Sequence, residues 1–167
     1  MFNGSTKLGL IAFSNANWAQ DLETRKSITG YVIFLADGPI LWVSQRQKTI
    51  SLSLTKAEYK AMSDTARQIS WLKLLYLEIG FTIPKVPMSC NNQGVMFLAT
   101  NPAVESCSKH IKLKEHYIQE CIETENKLDL FYVETAKQLA DLFTKNLSPD
   151  RFETLHSGIK MISYSQS

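Results

Sequence analysis

The chain has few of the features that mark specialised classes of protein. It has only 3 cysteines, an odd number without metal-ligand spacing, which favours reduced thiols over a disulfide framework or a zinc site. No apolar run approaches the ~20 residues of a membrane span, so no membrane partner is expected. The first residues also lack the apolar stretch of a signal peptide, and we expect an intracellular protein of the cytoplasm or nucleus.

Strong charge is also absent. A net charge of +2 is too small to identify a nucleic-acid-binding protein, so such a function must rest on local patches. Hydrophobic residues at 44% and charged residues at 20% are typical of an ordinary globular protein. The 167 residues suit a single domain, which we place at 8–160 between short tails at 1–7 and 161–167.

The hydrophobic pattern predicts an α/β domain. Three strands open it at 8–14, 28–35 and 40–44, and a long helix follows over 55–80. Apolar residues recur on this helix at helical spacing, at Met62, Ala66, Ile69, Leu72 and Tyr76. Further strands are predicted at 86–90 and 128–133, and further helices at 92–100, 109–124, 135–146 and from 148 onward. We therefore expect a five-stranded mixed sheet flanked by helices.

Four short motifs, at 13–19, 54–59, 90–93 and 138–145, carry polar residues to places where these elements begin or end. Asn15 lies at the end of the first strand and Glu58 in the first turn of the long helix. Asn91 lies where the fourth strand meets the next helix, and Asp141 lies near the start of a late helix.

The order and spacing of the motifs resemble the ribonuclease H domain of the Pol polyprotein of copia-type long-terminal-repeat retrotransposons. The resemblance runs from residue 8 to about 159 and includes 24–31, 40–44, 101–102 and 108–111. It implies a ribonuclease H-like fold and hydrolysis of the RNA strand of an RNA–DNA hybrid with divalent ions, Mg²⁺ or Mn²⁺. It also implies an upstream reverse transcriptase in a parent polyprotein.

The chain departs from this family at the site itself. The resemblance places metal-binding aspartate, glutamate, aspartate and aspartate at 15, 58, 91 and 141, whereas this chain has Asn15 and Asn91 and keeps Glu58 and Asp141 as metal ligands. Asparagine offers one neutral carbonyl oxygen in place of a charged pair. A unit charge about 4 Å from a divalent ion is worth roughly 8 kcal/mol at an effective dielectric near 20. We therefore expect weak magnesium binding and negligible turnover.

Other departures, at Asn17, Lys56, Cys107 and Lys112, fit a decayed copy or a domain recruited to a non-catalytic role. Three functions stay open: a magnesium-dependent nuclease, a catalytically inactive module that binds RNA–DNA hybrids, and a remnant without activity or with a role in protein contacts. The candidates for nucleic-acid contact are Arg25, Lys48, Lys109 and His110, although basic groups of this kind are usually solvated faces.

Some of these residues also have purely structural interpretations. Residues 55–58 and 135–138 each match a capping box at a helix start, and Asn91 or Asn92 suits a helix N-cap. Trp42 and Trp71 are expected in the core, and Trp18 is expected to pack rather than to stack on bases.

Overall fold

The structure is a computed structural model that describes residues 9–19, 23–36, 38–101 and 117–159. The strands of these residues are β1 Leu10–Asn17, β2 Ile28–Leu35, β3 Gly38–Arg46, β4 Val86–Cys90 and β5 Leu128–Tyr132. They form one five-stranded sheet in the order β3-β2-β1-β4-β5. β1 pairs antiparallel with β2 and parallel with β4, so the predicted mixed sheet is confirmed.

The helices are α1 Leu54–Glu78, α2 Gln93–Thr100 and α3 Pro149–Gly158. Residues 117–119 are α-helical and are followed by a short π-helical stretch, Glu120–Thr124, before β5; the rest of the helix predicted at 109–124 lies outside the described residues. None of the helices in the described ranges is both long and apolar enough to cross a membrane. The two predicted tails lie outside the described residues.

Two layers pack on the sheet, one on each face. Met62, Ala66, Ile69 and Leu72 of α1 are buried on one face, as the helical spacing predicted, and Tyr76 packs against them. On the other face, a smaller cluster is built on Val32, Phe34 and Ile159, with these partly buried side chains around it: Phe13, Leu139, Leu142 and Phe143.

The prediction of one helix over 135–146 is wrong. The structure has two short 3-10 segments, Thr135–Lys137 and Leu139–Phe143, and the second is called the Asp141 segment below. Gln138 separates them with an extended backbone. Its buried side chain donates from Nε2 to the Ser14 carbonyl at 3.1 Å and accepts from the Ala140 amide at 3.2 Å. The hydrogen bond to Ser14 of β1 holds Gln138 in an extended conformation and so interrupts the helix predicted over 135–146.

Neither of the two capping boxes considered as structural interpretations is formed. The N-cap of α1 is Ser53, whose side chain accepts a hydrogen bond from the Lys56 amide at 3.2 Å, so the helix begins before Thr55 can cap it. The Asp141 segment is capped by Gln138 itself rather than by Thr135.

The expectation that Trp42 and Trp71 lie in the core is wrong as well, because they are 51% and 52% exposed. Trp42 lies on the edge strand β3 opposite Val32, where a strand flanks it on one side only. Trp71 lies on the outer side of α1, near the exposed Leu74 and Leu75.

Candidate active site

The four motif positions gather at one edge of the sheet, namely the edge formed by the ends of β1 and β4 and not by an outer strand. β1 and β4 run parallel with Phe13 opposite Ser89, so Asn15 and Asn91 follow at the same end of neighbouring strands. β2 begins at this edge and β3 ends there, since Ile28 pairs with both Asn17 and Arg46. α1 starts soon after β3 and carries Glu58.

Gly30 allows the Asp141 segment to lie against the sheet. Gly30 pairs with Asn15 in the register of β1 and β2. A Cβ at residue 30 would lie 2.4 Å from Thr144 Cγ2, 2.9 Å from Phe143 Cβ and 3.0 Å from the Ala140 carbonyl oxygen. Only a residue without a side chain permits this approach, and the approach brings Asp141 to Asn15.

Asn15 and Asp141 are in direct contact. The Asn15 side chain donates from Nδ2 to Asp141 Oδ1, and the same nitrogen is 3.2 Å from Thr144 Oγ1. Both Asn15 and Asp141 are buried. The other polar atom of the amide, Asn15 Oδ1, is buried and has no hydrogen-bond partner in the described part of the chain.

Two cations complete the surroundings of Asp141. Lys145 Nζ lies 2.9 Å from Oδ1 and Arg151 Nη2 lies 2.8 Å from Oδ2. The Asp141 side chain is 0% exposed, whereas those of Lys145 and Arg151 are 32% and 35% exposed. Arg151 Nη2 also donates to the Thr135 carbonyl at 2.7 Å, so one guanidinium group of α3 holds both 3-10 segments.

Glu58 is buried nearby with fewer partners. It is 8% exposed, and its Oε2 has no hydrogen-bond partner among the residues described. Burial raises the pKa of Glu58 from 4.5 to about 7; the Asn92 side chain and Lys145 lower it, and the charge of Asp141 raises it further. Glu58 therefore lies within the electrostatic reach of Asp141 and Lys145.

Asn91 is joined to the other positions only indirectly. Its side chain is half-buried, and Nδ2 donates to Thr135 Oγ1 at a long 3.4 Å. The neighbouring Asn92 caps α2, because its Oδ1 accepts from the Gly94 and Val95 amides at 2.9 and 3.2 Å. Of the two candidate caps, the structure therefore uses Asn92.

These residues do not fit a two-ion metal site. Among the described residues, no group of three or more His, Cys, Asp or Glu side chains could hold a metal ion. Asp141 already has a cation on each oxygen, and Asn15 turns its N–H rather than its carbonyl oxygen toward it. The charges of Glu58, Asp141, Lys145 and Arg151 cancel even when both carboxylates are ionised, so a divalent ion would meet little net attraction.

The predicted nucleic-acid contacts are only partly described. Arg25 and Lys48 are both exposed and lie close to the contact in which the Gln47 amide donates to the Ser27 carbonyl at 2.8 Å. They therefore lie at the same edge of the sheet as Asn15. Lys109 and His110 fall outside the described residues.

Other residues near the site differ in how well the sequence revealed them. Trp18 is 45% exposed, so it is not packed into the core, and its Nε1 donates to the Ser51 carbonyl at 2.8 Å. Lys145 was missed as a partner of Asp141, although its place four residues later in the same motif was a usable signal. Arg151 was missed too, and no pattern in the sequence pointed to it.

The relatives that match most of the chain include retrotransposon polyproteins. No family model matches the chain. The Pol polyproteins of the Arabidopsis thaliana transposons RE1 and RE2 are each 36% identical to it, over 153 and 156 residues. That of the Nicotiana tabacum transposon TNT 1-94 is 34% identical over 152 residues. The first two matches cover 91% and 93% of this chain but 10% and 11% of the polyproteins, so the chain spans about a tenth of their length.

Solved structures with a similar fold include ribonucleases H. The N-terminal ribonuclease H domain of a Mycobacterium tuberculosis protein gives a TM-score of 0.60 at 10% identity, over 90% of this chain and 98% of that one. Ribonuclease H1 of Halobacterium salinarum gives 0.58 at 15%, over 81% and 94%. LC11 ribonuclease H1, solved in complex with an RNA/DNA hybrid, gives 0.59 at 16%, over 81% and 93%. At these identities the likeness concerns the fold alone.

Proposed function

Because the chain is a ribonuclease H-like domain homologous to a segment of copia-type retrotransposon Pol polyproteins, we propose that it no longer hydrolyses RNA in RNA–DNA hybrids. This proposal rests on the contacts of Asp141, which accepts a hydrogen bond from Asn15 and forms ion pairs with Lys145 and Arg151. Phosphodiester hydrolysis in such a fold depends on divalent ions that bind to clustered carboxylates. Here the charge of the surviving aspartate is already neutralised by the protein.

A non-catalytic role in binding an RNA–DNA hybrid is the second candidate function. Arg25 and Lys48 are exposed at the edge of the sheet that carries Asn15, where cations could contact phosphates without a metal ion. A ribonuclease H1 of similar fold was solved with an RNA/DNA hybrid, which supports a nucleic acid as the partner. In a parent polyprotein, a reverse transcriptase domain would precede this one.

Cleavage of a labelled RNA–DNA hybrid in Mg²⁺ or Mn²⁺ tests the loss of activity. We expect no cleavage by the natural chain and measurable cleavage by an Asn15→Asp/Asn91→Asp variant, because four carboxylates would then outweigh the positive charges of Lys145 and Arg151. Cleavage by the natural chain would refute the proposal. Absence of cleavage by the double variant would extend the damage to other positions, Lys56 first among the described ones.

Fluorescence anisotropy with the same hybrid in chelator tests binding. We expect Arg25→Gln and Lys48→Gln each to weaken binding and to reduce the salt dependence of log Kd by about 1 if each cation neutralises one phosphate. Lys85→Gln is the matched control, since Lys85 precedes β4 at the opposite edge and is paired with Asp129 at 2.7 Å. Equal effects of all three variants would argue against a defined surface, and no binding at all would favour an inactive remnant.

A further inference from the structure

We propose that Asn15, Lys145 and Arg151 take the place of divalent ions around Asp141, so that this carboxylate fastens α3 to the sheet instead of binding metal. This proposal rests on the proposed loss of hydrolysis and adds what the former site now does. Asp141 is then a structural anchor, and Arg151 weakens metal binding at it.

The contacts of Asp141 join three elements of the chain. Asn15 lies in β1, Lys145 follows the Asp141 segment, and Arg151 lies in the first turn of α3. Arg151 adds a hydrogen bond to the Thr135 carbonyl at 2.7 Å. Asp141 and its partner Arg151 together therefore link α3, both 3-10 segments and the central strand β1.

Because Asp141 is buried, the surroundings of its carboxylate decide whether removing that group stabilises or destabilises the fold. A fully buried carboxylate is tolerated only when its oxygens are paired, and here Oδ1 has Asn15 and Lys145 and Oδ2 has Arg151. In a working metal site, carboxylates repel one another without metal, and removing one often stabilises the fold. At Asp141 the opposite is expected, because its neighbours are donors and cations.

Metal binding and the docking of α3 should compete. A divalent ion that binds both oxygens of Asp141 must displace Lys145 and Arg151 from 2.9 and 2.8 Å. Displacing Arg151 also breaks its bond to Thr135 and frees the start of α3 from the site.

Thermal unfolding of the full chain in chelator tests the anchoring. We expect Asp141→Asn and Arg151→Gln each to lower Tm by about 4 °C or more. The control is Arg67→Gln, which removes an ion pair between Arg67 and Asp64 on α1, and it should lower Tm by about 1 °C or less. If Asp141→Asn does not fold, Lys145→Gln gives a milder test, because Lys145 is partly exposed. An unchanged or raised Tm for Asp141→Asn, or an unchanged Tm for Lys145→Gln, would overturn the proposal.

Titration with MnCl₂, followed by the electron paramagnetic resonance signal of free Mn²⁺, tests metal exclusion. We expect Asn15→Asp/Arg151→Gln to bind Mn²⁺ about tenfold more tightly than Asn15→Asp alone, because a cation next to the carboxylate has been removed. Equal affinities would overturn the role of Arg151. Cleavage of hybrid by the natural chain would refute the proposed function instead, so the two failures are distinguishable.

Discussion

The two halves of the site differ in how completely their polar groups are paired. In the Asn15–Asp141 half, the amide nitrogen and both carboxylate oxygens have partners, and Asn15 Oδ1 is the exception. In the Glu58–Asn91 half, Glu58 has a hydrogen bond with the Asn92 side chain, but its Oε2 has no partner among the described residues, and Asn91 makes one long hydrogen bond. Asn15 therefore helps to pair a buried carboxylate, whereas Asn91 contributes only one weak contact.

The difference shows that two asparagines in one site can have different structural roles. An amide at residue 15 can donate to a neighbouring carboxylate, which an aspartate there could not do while ionised. At residue 91 there is no adjacent carboxylate among the described contacts, so the amide offers little. Each half can be disturbed separately, and the expected effects on the free energy of unfolding differ in size and sign.

Gly30→Ala should have the largest effect, because it disrupts the paired half through packing. The added Cβ would overlap Thr144 Cγ2 at 2.4 Å and approach the Ala140 carbonyl at 3.0 Å, so the Asp141 segment must move. We expect a loss of about 3 kcal/mol, measured by urea unfolding. Gly9→Ala is the control, since a Cβ there meets nothing within 4 Å. Similar losses in both variants would mean that Gly30 does not position Asp141.

Asn15→Asp should disturb the paired half through charge. It removes the hydrogen bond from Asn15 Nδ2 to Asp141 and places two carboxylates in contact, which raises the pKa of at least one of them. We expect a loss of about 2 kcal/mol at pH 7 in chelator, measured by urea unfolding. With Asn91→Asp added, millimolar Mg²⁺ should restore part of it, since only the folded state would bind the ion. An unchanged stability for Asn15→Asp would show that the amide is not part of the anchor.

Glu58→Gln should act on the unpaired half with the opposite sign. Because burial raises the folded-state pKa of Glu58 from 4.5 to about 7, the unfolded chain loses this proton first as pH rises. Stability from this group therefore falls between about pH 4.5 and 7 and stays low above that. We expect Glu58→Gln to add about 1 kcal/mol at pH 8 and to remove this part of the pH dependence, measured by urea unfolding from pH 4 to 8. A stabilisation that does not vary with pH would contradict the assignment.

Local sequence pattern was sufficient to predict the strands and the long helix. It could not predict features that depend on contacts between residues far apart in sequence. The bounds of β2 and β4 agree with prediction, because short apolar runs between turns are a local signal. The break in the predicted helix at Gln138 depends on a bond to Ser14, 124 residues away in sequence. The motifs predicted that residues 15, 58, 91 and 141 lie near one another, but the contact of Arg151 with Asp141 depends on how α3 docks. The exposure of Trp42 depends on which strand lies at the edge of the sheet.

Asn91→Asp should have the smallest effect and thereby sharpens the comparison with Asn15→Asp. The side chain is half-buried, so a carboxylate at 91 stays partly hydrated, and it loses only a hydrogen bond of 3.4 Å to Thr135. Asn91 and Arg151 both contact Thr135, so a charge at 91 would have a cation in its surroundings that offsets part of the loss. We expect a change of about 0.5 kcal/mol or less in urea unfolding at pH 7. If this substitution instead costs as much as Asn15→Asp, residue 91 is coupled to the buried carboxylates as tightly as residue 15, and the division of the site into two halves fails.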